Sequence, residues 1–163
     1  MTQSNNLVTK YEELQDREKL EQHLQLSIDA LQHLIQIGIA TYEDRHNLGH
    51  RWLSLGLQLS EVDRFNDADN AFRLAKYRFT EMVDQFGRKP HDLAMCAETL
   101  NSWSELMETR GDLIQARLLL EEAIENASAA FSLEPSNNLK ILNDYKARLE
   151  QVIGNNDVRY LPL

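Results

Sequence analysis

His46 and His50 stand four residues apart, so a helix would place both imidazoles on one face. That is one way a helix offers two nitrogen ligands to a metal ion. Glu43 precedes His46 by three, the Glu-x-x-His spacing that di-iron bundles use twice, together with two further inward carboxylates. Only one such motif occurs here, and His-Glu-x-x-His is absent. Histidine pairs at this spacing arise freely at the polar start of a helix. The reading is therefore no metal site and no cofactor, with His23, His33 and His91 read as solvated side chains in polar stretches.

Nucleophilic chemistry has less to work with. Cys96 is the only cysteine, which excludes an intrachain disulfide and a cysteine metal cluster. His91 lies five residues before it, roughly 140° around a helix, which is poor geometry for a dyad. The apolar surroundings of Cys96 predict a buried, inert thiol. No phosphate loop, dinucleotide fingerprint or hydrolase elbow is present, and the glycines are read as helix ends or, at Gly56, as a packing position. The expectation is a protein that is not an enzyme. The competing reading from another class is a helical-bundle metalloprotein or enzyme built on Glu43, His46 and His50.

The elements that would carry these residues are all helices. Leu, Ala, Glu and Gln dominate, and only six Gly and three Pro interrupt 163 residues, an all-α composition. This length predicts one domain with its own core. The formal charge of −9, from 26 acidic and 17 basic side chains, argues against nucleic acid, which needs a basic face. A basic protein segment is the natural complement. The polar N-terminus lacks a signal-peptide layout, and no apolar run approaches the roughly 20 residues that span a bilayer. A cytoplasmic location without membrane contact is expected.

Apolar periodicity and breakers predict six helices, at about 10–37, 43–62, 68–85, 91–108, 113–133 and 137–153. Residues 1–9 are expected to be flexible, and 155–163 to form a tail beyond the domain at 10–154. Gly38, Gly87, Gly111 and Gly154 are read as stops, Asn66 or Asp67 and Asp112 as N-caps. The sixth helix has one apolar stripe (Leu139, Leu142, Tyr145, Leu149, Val152) and one charged face, as a terminal cap of a stack requires.

Residues 52–75 organise the chain. Trp52-x2-Leu55-Gly56-x2-Leu59 is followed by Ala68-x3-Phe72 and Ala75. Gly56 and Ala68 are small where two antiparallel helices would cross, with Trp52 and Phe72 filling the gap beside them. The pattern resembles the tetratricopeptide (TPR) repeat, with Leu59 where Tyr is usual and Thr80 where Pro is expected. An offset of 48 residues lays Ala116 on Ala68, Leu120 on Phe72, Ala123 on Ala75 and Leu100 on Trp52, with Ser104 in place of Gly56. That period resembles lengthened TPR arrays. The resemblance implies an α-solenoid, a right-handed stack of antiparallel helical hairpins, acting as a scaffold or adaptor.

In TPR proteins the first helix of each pair lines the concave surface. Carried over by position, the partner-binding groove would consist of His50, Leu53, Leu57 and Ser60, then Glu98, Asn101, Glu105 and Glu108. Leu53 and Leu57 would anchor a basic or amphipathic segment, and the three glutamates would steer it. Leu53 and Leu57 also replace the polar residues of a carboxylate clamp. A second reading is an assembly chaperone or accessory subunit of a larger complex. About two and a half units is short for a stack, so a homodimer through Leu24, Ile28, Leu31 and Ile35 is also considered.

Overall fold

In the computed structural model, the described backbone covers residues 3–159, with side chains described for 16–135 and 139–154. The order is α1 (Gln3–Gln36), α2 (Tyr42–Glu61), α3 (Phe65–Phe86), α4 (Pro90–Thr109), α5 (Leu113–Leu133) and α6 (Pro135–Arg159). Among the described residues there is no strand. Each helix packs on the next, and α2 also touches α4 directly. The protein is all-α, as its composition predicts.

Local chemistry sets the helix starts that matter for function. At α2, Thr41 and Asp44 form a reciprocal capping box: the Asp44 amide donates to Thr41 Oγ1 at 3.1 Å, and the Thr41 amide to Asp44 Oδ2 at 2.8 Å. Gly87 (φ 84°) ends α3, and Pro90 opens α4 at its first turn, where a missing N–H costs nothing. Tyr42, His46 and His50 are thereby assigned to the first turns of α2, and His91 and Asp92 to the first turn of α4. Asp112 caps α5 by accepting from the Gln115 amide at 3.0 Å.

Several boundaries differ from expectation. α3 begins at Phe65, so Asn66 and Asp67 lie inside its first turn and neither is the N-cap; Arg64 holds that position without a side-chain cap bond. The cause is a short turn. Asp63 adopts φ 59°, and the Arg64 amide reaches back to the Leu59 carbonyl at 3.0 Å, a Schellman closure. Gly38 and Gly111 close α1 and α4 in the same way. Gly154 is no stop, because its backbone stays out of the left-handed region and α6 runs through it. Residues 3–9 belong to α1 and 155–159 to α6; 1–2 and 160–163, parts of the expected flexible ends, lie outside the described residues.

Two contacts fix how closely α2 and α3 approach. A Cβ added at Gly56 would lie 2.8 Å from ring carbons of Phe72, and one at Gly49 would lie 2.8 Å from those of Phe79. The glycines are seven residues apart on one helix and the phenylalanines seven apart on the other, running oppositely. Gly49 thus joins Gly56 as a packing position. Both rings are completely buried, each burial favouring the fold by about 1.5–3 kcal/mol.

On α1, Leu24 and Ile28 are buried, and Leu31 and Ile35 pack half-buried against the core beside α2. Of the four residues considered for a homodimer, Leu24 and Ile28 are thus taken up within the chain, and Leu31 and Ile35 keep part of their surface exposed.

Candidate functional site on the seam between α2 and α4

Where the first turns of α2 and α4 meet, five chemically active side chains converge. His46 Nε2 lies 2.8 Å from His50 Nε2 and 2.9 Å from His91 Nε2. One nitrogen from each ring falls within 4.8 Å of the other two. Behind His46, its Nδ1 lies 3.2 Å from Oδ1 of Asp92, a carboxylate with no exposed surface. The Tyr42 hydroxyl donates to the same carboxylate, 2.8 Å from both oxygens.

The third helix supports this cluster from below. Phe79 packs at a steep angle to both His46 and His50, with ring centroids 5.6 and 5.5 Å away. Its position depends on the missing side chain of Gly49. Tyr42 stacks on His46, Phe86 packs edge-on against Tyr42 at 5.3 Å, and Lys89 Nζ sits 3.5 Å from the Tyr42 ring centroid.

Electrostatics favour one set of protonation states. Burial is the main cause that lowers the pKa of His46; the neighbouring His91 adds to it and together they outweigh Asp92, which raises it. His50 is lowered by burial, then by His46 and His91. His46 and His50 are thus biased towards the neutral, lone-pair-bearing form. Tyr42 is pushed up to about 12 by burial and by Asp92, so it keeps its proton and donates. Asp92 also lies in the first turn of α4, where the helix dipole favours an anion.

Sequence reasoning singles out His46 and His50 but reads His91 as a solvated side chain and passes over Asp92. His91 is indeed exposed, yet it closes the cluster. Glu43, the acid of the di-iron-like spacing, is exposed and outside it. The available signal was the 48-residue offset, which puts the starts of α2 and α4 at equivalent places in a stack.

The groove residues separate into groups. His50 belongs to the histidine cluster. Leu53 is 4% exposed and part of the core, so it is not available as an anchor. Glu98 is exposed. Arg148 of α6 donates to Glu105 Oε1 at 2.9 Å and also reaches Asn101 Oδ1 and Glu108 Oε1. The chain therefore satisfies much of that acidic patch itself. Leu57, Ser60 and Glu105 do share a cleft of about 310 Å³, near the C-terminal ends of α2 and α4. Glu61, Phe65, Leu106 and Thr109 also line it, and Leu57 is 40% exposed.

Cys96 is buried, with its thiol pushed up to about 11 mainly by burial. Among the described residues, no helix is long and apolar enough to cross a membrane. No protein-family model matches the chain, and neither curated proteins nor solved structures give a match.

Proposed function

We propose that this chain is a non-catalytic, cytoplasmic interaction scaffold of the TPR-like kind, its hairpins stacked with a right-handed twist. It holds a segment of another protein along the seam between α2 and α4. The observation that carries this reading is the cleft at Leu57. An exposed leucine there sits among Ser60, Glu61 and Glu105, and Arg17 and Arg148 of the chain itself already lie 3.3 and 2.9 Å from those two carboxylates, so a guanidinium fits beside this apolar floor. A segment presenting an apolar side chain beside Lys or Arg complements both features.

A random peptide library displayed on phage tests it. The expected clones carry Leu, Ile or Phe next to Lys or Arg, and they lose binding to Leu57→Glu while retaining it to Tyr77→Glu, altered at an exposed residue of α3. Clones that bind Leu57→Glu as well as the parent chain would remove the cleft from consideration.

A further inference from the structure

We propose that His46, His50 and His91 form a binding site for a divalent transition metal, zinc foremost, with Asp92 orienting His46 from behind. This goes beyond segment binding and stands independently of it. Three imidazole nitrogens converge from two helices, at 2.8 and 2.9 Å from the central one. Nitrogens tetrahedral about zinc at about 2.0–2.1 Å stand roughly 3.3–3.4 Å apart, so small ring rotations complete the geometry.

Hydrogen bonding alone leaves the arrangement unsatisfied. With its Nδ1–H directed at Asp92, a neutral His46 has a single lone pair at Nε2. One lone pair accepts one in-line hydrogen bond, yet two imidazole nitrogens lie within bonding distance of it. A cation at the convergence point takes a lone pair from every ring. The surroundings fit too. A ligating histidine typically gives its other N–H to a carboxylate that is itself hydrogen-bonded. Asp92, fully buried and held by Tyr42, supplies that arrangement.

The donor set selects the ion class. Three imidazoles suit zinc, copper, nickel or cobalt rather than the oxygen-seeking magnesium and calcium. Three protein ligands leave a fourth position for water or another donor, and the exposed His91 marks the route in from solvent.

The test uses the full chain after chelator treatment, titrated with zinc by calorimetry and with cobalt(II) by visible absorption. One zinc per chain is expected, with a tetrahedral cobalt spectrum that zinc abolishes. His91→Ala removes an exposed side chain and keeps the fold, checked by circular dichroism; it should weaken zinc at least tenfold and lose the cobalt bands. Asp92→Asn should cost about 10–100-fold with all three ligands kept. His33→Ala, on the exposed side of α1, should bind as the parent does. Zinc bound equally well by the parent and by the His46→Ala/His50→Ala/His91→Ala triple variant overturns the proposal, as does the lack of any one-to-one binding at micromolar zinc.

Discussion

His91 Nε2 lies 2.9 Å from His46 Nε2 although 45 residues separate them in the chain. The contact exists because α2 and α4 touch over α3, with the capping box of α2 and the proline start of α4 placing their first turns side by side. Anything that binds both imidazoles joins two helices that are not consecutive. Zinc at about one hundred times its dissociation constant should then stabilise the chain by about 2.7 kcal/mol. For a protein of this size that corresponds to roughly 5–10 °C in Tm. Thermal melts with and without zinc check this, and His91→Ala, binding at least tenfold more weakly, should show about half that shift or less.

Gly49→Ala and Gly56→Ala both improve intrinsic helix propensity, by about 1 kcal/mol. Each also drives a methyl into a buried phenylalanine ring, at 2.8 Å. Overpacking should win, with a net loss of about 1–3 kcal/mol in urea denaturation. Gly154→Ala is the contrasting case. Its Cβ would meet nothing within 4 Å, so it should stabilise by about 0.5–1 kcal/mol. Neutral behaviour of the first two variants would show that α2 and α3 can move apart cheaply.

Asp63 holds a left-handed turn at φ 59°, the place that Gly111 takes 48 residues later at φ 78°. Glycine adopts this conformation without the Cβ clash. Asp63→Gly should raise stability by about 0.5–1 kcal/mol, even after the added freedom of the unfolded chain. A chemical melt measures it. A loss instead would assign the Asp63 side chain a stabilising contact.

Cys96 should resist a thiol reagent at pH 8 in the native protein and react fully in strong denaturant. Its thiol is buried and shifted up to about 11. The raised value also sets a pH dependence. The folded state holds the proton more tightly than the unfolded state, so this contribution is fully present below about pH 9 and declines as pH rises towards about 11. Replacing Cys96 by Ala should remove that alkaline dependence, beyond the cost of the cavity.

Much of the fold is legible because its signals are local. Periodicity marks six helices, and Gly38, Gly87 and Gly111 do take the positive φ of a stop. Gly154 looks the same in sequence but stays helical, since residues 155–159 carry α6 onward. The start of α3 is misplaced by the turn at Asp63, which a non-glycine residue does not advertise. On α2, Leu53 and Leu57 both read as apolar groove positions; only packing reveals that Leu53 enters the core and Leu57 does not. His91 and Asp92 read as ordinary polar residues at a helix start, because their partners lie on another helix.

Arg148 gives α6 a second identity. Reaching Asn101, Glu105 and Glu108, it does what a basic residue of a bound segment would do there. Being tethered, it would compete with such a segment at an effective concentration on the order of millimolar. A basic ligand of the proposed kind would have to evict Arg148 before pairing on that stretch of α4. On the proposed function Arg148 would be a built-in competitor, and its reach to Glu105 brings that competition to the edge of the Leu57 cleft.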